Sequence, residues 1–169
     1  MVTAMNGRQN RGFTLVEMMV VMAIIGIVMA VAAPGVRDLM ASQRMKTASF
    51  NLVATSMFAR SEAVKRGIPV TIKAPSGNNL SNGWCVLIDA TASCSISTPD
   101  TASTMRVDAP VAGVSYAFIT TAGPITFNRA GRLSALVKVE ITDSQTSSLK
   151  RCVTIDVGGG ARTSTGACS

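Results

Sequence analysis

The sequence predicts an α+β protein, one long N-terminal helix packed on an antiparallel β-sheet. Three observations carry that expectation. The chain is free of charge from Met18 to Val36. Apolar residues then keep a helical spacing as far as Arg66. After Gly67 the hydrophobic period drops from about 3.6 to 2.

The helix comes first. At a rise of about 1.5 Å per residue, the uncharged run covers most of a hydrocarbon layer of about 30 Å. Beyond it, Leu39, Met45, Ala48, Leu52, Ala59 and Ala63 recur as apolar positions, with Arg44, Lys46, Arg60 and Lys65 interleaved. One helix from Phe13 to about Arg66 would be roughly 80 Å long. Its weak point is Pro34-Gly35, because proline removes a backbone donor and clashes with the preceding turn. This divides the helix into a membrane part, 13–36, and an amphipathic part, 37–66, leaving 67–169 as a β-rich globular domain.

The strands come next. "IPVTIKA", "GWCVLID", "STMRVDA", "VSYAFIT", "PITFN", "ALVKVEITD" and "RCVTIDV" each alternate apolar and polar residues between turn-rich stretches. In "NRAGRLS", Gly131 reads as a tight turn between two of them. The stretches from Ser76 to Gly83 and from Ala90 to Ser103 read as exposed loops. "VGGGAR", Val157 to Arg162, has no helix after it and reads as a flexible turn rather than an anion-binding loop.

Charge and cysteines bear on compartment. Sixteen Lys and Arg against nine Asp and Glu give +7. Arg8 and Arg11 precede the apolar run, which holds that end in the cytoplasm and sends the chain beyond Arg37 across the membrane. Cys85, Cys94, Cys152 and Cys168 are an even set in a small exported domain, the pattern of disulfides; separations of 9, 58 and 16 residues match no paired zinc motif. Three pairings are possible. Cys85 with Cys94 and Cys152 with Cys168 close the shortest loops, each worth roughly 2–3 kcal/mol; two long-range bridges stay open.

Enzymatic function is not expected on chemical grounds. With no histidine, there is no imidazole base for a Ser or Cys nucleophile and no His-ligated metal. The nucleophile elbow and the phosphate-cradling glycine loop are missing. No cofactor or metal is expected.

The N-terminus admits three readings. Arg8 and Arg11, an apolar core and Ala30-Val31-Ala32 fit a secretory signal peptide. A plain membrane anchor would tolerate Glu17 near the interface. Neither uses the Gly12-Phe13 junction or the acid placed four residues after it. A carboxylate at mid-membrane costs about 2.5–3.5 kcal/mol, so it asks for a partner or a function.

"RG-FTLVEMMVVMAIIGIVMAVAAPG" resembles the N-terminus of type IV prepilins and type II secretion pseudopilins: a basic leader, Gly, Phe, Thr, Leu, an apolar residue, Glu, then a long apolar helix. The resemblance implies that residues 1–12 are a leader, that a prepilin peptidase cuts after Gly12, and that the new amine of Phe13 is methylated. It implies that Glu17 meets the Phe13 amine of a neighbouring subunit during filament entry. The stretches "ARSEAVKRGIPVTI", "GWCVLID", "ITFNRAGRL" and "RCVTIDVGGGARTSTGACS" are similar to the GspH/FimT group of minor pilins and pseudopilins, implying a pilin-like fold.

That resemblance implies three candidate functions. The first is a minor pilin that helps initiate or cap a type IV pilus. The second is the H pseudopilin of a type II secretion system. The third is a DNA-binding pilin for natural transformation. Implied partners are other pilins or pseudopilins, the prepilin peptidase and an inner-membrane assembly platform; the implied location is the bacterial inner membrane, single-pass, with a periplasmic C-terminal domain, then a pilus or pseudopilus. For DNA, some FimT-like pilins use a C-terminal Gly-Arg-x-Arg turn. Here Gly160-Ala161-Arg162-Thr163-Ser164 carries one arginine where that motif has two. Arg129, Arg132, Lys150, Arg151 and Arg162 are the candidates for phosphate neutralisation. The cations on the amphipathic helix read as a solvated face or a contact with the next subunit.

Overall fold

A computed structural model describes residues 13–120, 123–146 and 148–169, with side chains omitted at 32–34. Residues 1–12, expected as a leader, with Arg8, Arg11 and Gly12 among them, lie outside the described residues, and so does the side chain of Pro34 in the expected Pro34-Gly35 break. The chain divides into two compact units, Met1–Arg37 and Asp38–Ser169.

Helix α1 is assigned over Leu15–Arg66. It begins two residues later than Phe13 because Thr14 caps it. In the first unit its large apolar side chains, from Leu15 to Val31, are all exposed. Among the described residues no single helical piece is long and apolar enough to cross a membrane, whereas Leu15–Val31 and Gly35–Arg66 taken together are, by length and composition.

In the second unit the helix buries one narrow stripe: Ala41, Met45, Ala48, Ser49, Leu52, Thr55, Ser56, Ala59 and Ala63. Most are small, which lets the sheets approach the helix axis closely. Leu39, expected among the apolar positions of that face, is exposed. Residue 39 lies before the point where the sheets begin to cover the helix. Gly67 ends α1 at φ +66°, with its N–H bonded to the Ala63 carbonyl at 3.0 Å. A left-handed residue after the last turn is the usual glycine stop.

Eight strands complete the chain: β1 Val70–Lys73, β2 Trp84–Leu87, β3 Thr104–Asp108, β4 Val114–Phe118, β5 Ile125–Phe127, β6 Val137–Asp143, β7 Lys150–Ile155 and β8 Ala161–Thr165. They form two four-stranded antiparallel sheets, ordered β3-β2-β1-β5 and β4-β6-β7-β8, where the sequence suggested one. Both pack against the helix. Met45, Ala48, Leu52, Ala59 and Ala63 share one core with Val70, Ile72, Trp84, Val86, Ile125 and Phe127 of the first sheet. Tyr116, Val139, Ile141, Val153 and Ile155 of the second sheet join them.

The turn at Gly131 therefore links strands of different sheets, β5 and β6, and is no hairpin. Asn128 N–H donates to the Arg132 carbonyl and Gly131 N–H to the Asn128 carbonyl, at 2.9 and 2.7 Å, turning the chain at the crossover. Strand β2 is buried on both faces. Trp84 and Val86 face the helix, while Cys85 and Leu87 pack beneath the following loop with Cys94. The Cys85–Cys94 disulfide, Cα–Cα 5.5 Å, fastens that loop to the sheet. The stretch from Ser76 to Gly83 is only partly exposed loop: a 3-10 turn, Leu80–Asn82, buries Leu80 in the core. Val157–Arg162 is not wholly a flexible turn either. It tightens through Gly159, and its end, Ala161 and Arg162, opens strand β8.

Candidate functional site

The N-terminal candidate starts at Phe13, which is exposed. Thr14 N–H approaches Glu17 Oε2 at 3.4 Å, and Glu17 N–H donates to Thr14 Oγ1 at 3.2 Å. This is a reciprocal capping box, Ser/Thr-x-x-Glu/Gln, and it satisfies two donors left free by the first turn. The acid also lies in the first turn, where it meets the positive end of the helix dipole. Thr14-Leu15-Val16-Glu17 spells that motif in the sequence, yet attention to Glu17 alone leaves Thr14 unread. Glu17 is exposed.

The five candidate cations do not share one surface. Lys150 Nζ pairs with Glu140 Oε1 at 2.7 Å. That pairing is the first cause holding the Glu140 carboxyl below its ordinary range, opposed by burial and assisted by the Cys168 backbone N–H. Arg151 points to the helix side and donates from Nε to Ser49 Oγ at 3.1 Å. Both cations are thus engaged inside the domain. Arg129, Arg132 and Arg162 are exposed.

Arg129 and Arg132 belong to the β5–β6 crossover, and Arg162 to β8, opposite Thr154. Leu133 N–H donates to the Val157 carbonyl at 3.0 Å, which sets the crossover beside the β7–β8 turn. Gly131 and Gly159 both lie against Arg60, and a Cβ on Gly159 would overlap the Gly131 carbonyl oxygen. Two tight turns thus stack at the C-terminal end of α1. Arg162 sits on a hydrogen-bonded strand and not on the mobile loop that the sequence suggested.

A second ion pair fixes the other end of the domain. Arg44 Nη2 lies 3.1 Å from Asp143 Oδ2. Burial opposes the Asp143 charge, but the N–H groups of Gln145 and Thr146 and the Arg44 guanidinium outweigh it and hold the carboxyl below the usual range. The Cys152–Cys168 disulfide, Cα–Cα 5.0 Å, ties the C-terminal tail to β7.

A helix over two antiparallel sheets, preceded by an exposed apolar helical segment with a capped acid, is compared most directly through the globular part. Residues 48–159, well over half of the chain, match the family model described as type II transport protein GspH. The chain belongs to the GspH family. Residues 7–33 of this GspH-family chain match the prokaryotic N-terminal methylation motif.

Among solved structures, the type IV minor pilin FimU of Pseudomonas aeruginosa aligns with a TM-score of 0.60 at 20% identity, over 76% of this chain and 97% of that one. The minor pseudopilin EpsH of the Vibrio cholerae type 2 secretion system aligns at 0.53 and 14%, over 72% and 97%. These likenesses show a shared pilin-like α+β fold.

Among curated relatives, fimbrial protein EcpB of Eikenella corrodens is 36% identical over 69 residues, 41% of this chain and 43% of that protein. Type IV major pilin protein PilA of Myxococcus xanthus is 48% identical over 46 residues, 27% and 21%. The chain spans less than half the length of these relatives. The GspH-family chain is a structural, non-enzymatic protein of the minor pilin and pseudopilin type.

Proposed function

We propose that the chain is a minor pilin, held in the bacterial inner membrane by its apolar helix with the β-rich domain in the periplasm, which helps initiate or cap a type IV pilus. The observation that carries this reading is the N-terminal arrangement: a methylation motif over 7–33, an acid at Glu17 in a capped first turn, and an apolar helical segment whose described large side chains are exposed. In this reading cleavage between Gly12 and Phe13 creates a cationic amine, and Glu17 of one subunit meets the amine of another. A desolvated acid so paired acts as a register mark. The fimbrial name of EcpB, the type IV major pilin name of PilA and the higher TM-score of FimU support the pilus over the secretion system.

The alternative is the H pseudopilin of a type II secretion system, supported by the description of the matching family and by the EpsH likeness. Deletion separates the two. Loss of pili and twitching with intact secretion supports the first, and lost secretion with intact pili supports the second. Intact mass of membrane-extracted protein tests the processing that both require: the chain starts at Phe13 with one added methyl, whereas a chain starting at Ala33 reinstates a signal peptide.

Uptake of DNA is the third reading, and it retains three exposed cations, Arg129, Arg132 and Arg162. Phosphate neutralisation by so few charges predicts weak, salt-sensitive retention. A gel shift at low salt with residues 38–169, compared with the Arg162→Ala variant, decides it; no retention removes this reading.

A further inference from the structure

Two sheets have four edges, and three of these are closed to further pairing. Strand β5 has only three residues. Strand β4 has the 3-10 turn against it, and its Tyr116 N–H is taken by Ser81 Oγ at 2.9 Å. Strand β3 carries the Arg106–Asp108 ion pair and a register shift opposite Val86 and Leu87. Charges, irregularities, coverage and short length are the usual ways of blunting an edge.

Strand β8 has only one of these, the single charge of Arg162. Its five residues, Ala-Arg-Thr-Ser-Thr, contain no proline and one charge, and their register with β7 is unbroken from Ala161 to Thr165. The hydrogen bonds at its two ends set which backbone groups are free. Asp156 N–H donates to the Gly160 carbonyl and Gly166 N–H to the Lys150 carbonyl. In an antiparallel ladder the hydrogen-bonded pairs alternate, so Gly160, Arg162, Ser164 and Gly166 face β7. The N–H and C=O groups of Ala161, Thr163 and Thr165 therefore point away from the sheet, where no other described strand lies. The Thr163 hydroxyl on the same strand is buried without a hydrogen-bond partner.

The C-terminal tail keeps off this edge. After Gly166 the chain turns back over the sheet face: Cys168 is bridged to Cys152 on β7, its N–H donates to Glu140 Oε2 on β6 at 3.2 Å, and the Lys138 ammonium reaches the Ser169 carbonyl. The disulfide thus holds the tail across β7 and β6 instead of along β8.

We propose that β8 is a docking edge, to which an extended segment of a different pilin-type subunit adds as a fifth strand. This rests on the filament-subunit reading above. Main-chain hydrogen bonds provide the affinity in such strand addition, and side chains opposite the edge provide the selectivity. The exposed Arg162 favours a small polar or acidic residue across from it. A second copy of the same edge does not fit. Antiparallel pairing of β8 with another β8 needs a two-fold axis normal to the sheet, which reverses the helix packed on it. Parallel pairing needs one along the strands, which puts the two helices on opposite faces of the joined sheet. Subunits entering one filament from one membrane keep their helices parallel and side by side.

Proline scanning in the full-length chain, expressed in its host, tests the alternation. Thr163→Pro and Thr165→Pro each remove an outward N–H; Ser164→Pro removes one bonded to β7. The first two variants should retain processed mass and both disulfides, yet fall at least tenfold in the filament fraction, while Ser164→Pro loses the folded domain. Benzoylphenylalanine introduced at Thr165 should cross-link in membranes to a different pilin-type chain identified by mass spectrometry. Wild-type incorporation of Thr163→Pro and Thr165→Pro, a stable Ser164→Pro domain, or cross-links only to the same chain overturns the proposal. Absence of the wild-type chain from filaments would instead defeat the filament reading, and the membrane cross-link would still decide the edge.

Discussion

The indole N–H of Trp84 donates to Asp108 Oδ2 at 3.0 Å, across the first sheet from β2 to β3. The same oxygen accepts from Thr55 Oγ1 on α1 at 2.8 Å and from Arg106 Nε at 2.8 Å, while Arg106 Nη2 bonds Oδ1 at 2.7 Å. Arg106 also stands over the Phe58 ring, and Tyr116 meets Trp84 edge-on at 5.4 Å. One carboxylate thus joins the helix to two strands. Burial, with the Asp108 charge behind it, pushes the Tyr116 phenol well above its ordinary range, so it stays neutral.

Asp108→Ala removes the acceptor, leaving the Thr55 hydroxyl without it and the Trp84 indole N–H with only its 3.3 Å contact to Thr55 Oγ1. The expected loss is about 3 kcal/mol in urea unfolding of residues 38–169, the scale for breaking a buried charged hydrogen-bond set. Thr55→Val, which removes the helix arm but keeps the Trp84 and Arg106 bonds to Asp108, should cost about 1 kcal/mol. Equal effects would mean that the carboxylate does not organise the group.

Acid should weaken the second unit through Asp143. Its folded pKa is depressed, so its contribution is complete above the unfolded value of about 3.9 and disappears as pH falls through the folded value. Glu140 acts in the same direction through Lys150. Unfolding midpoints of residues 38–169 should be flat near neutrality and fall below about pH 4. Asp143→Asn should lower the neutral plateau and flatten the acid slope. An unchanged slope would assign the acid sensitivity elsewhere.

Gly159 and Gly67 separate two roles of glycine. Both have positive φ, +80° and +66°, but a Cβ at Gly67 meets nothing within 4 Å. Gly67→Ala should therefore cost only the left-handed conformation, about 1–2 kcal/mol. Gly159→Ala adds a clash with the Gly131 carbonyl and crowding of Arg60, and should cost about 3 kcal/mol. Equal losses in thermal unfolding would show that the two turns part without penalty.

Thr14 and Glu17 divide capping from assembly. Thr14→Ala removes the cap and should cost the helix about 1 kcal/mol, leaving the acid in place. Glu17→Ala should leave insertion and cleavage intact while blocking recovery in the filament fraction. Thr14→Ala should be recovered nearly as well as wild type. If both variants fail equally, the capped turn is what assembly reads, and the charge is not.

Much of this was legible because it is written in local periods. The uncharged run before Val36, the helical spacing up to Ala63, the stop at Gly67 and the seven strands from Val70 to Ile155 each depend on residues a few positions apart. The short-loop cysteine pairs are of the same kind, and both bridges are present. Glu17 was legible as an oddity, and its cap at Thr14 was written three residues earlier.

Long-range pairing decided the rest. Whether β5 and β6 form a hairpin or cross between sheets depends on which strands lie beside them, and no spacing within "NRAGRLS" expresses that. Strand β8 hid in a glycine-rich polar tail because its residues bury little; β7 supplies its hydrogen bonds. Lys150 and Arg151 looked equivalent to Arg162 as charges. Strand alternation then sent Arg151 to Ser49 on the helix side and Lys150 to Glu140 on the other, because adjacent residues of a strand face opposite ways and charge near a low-dielectric core stays only where it is paired.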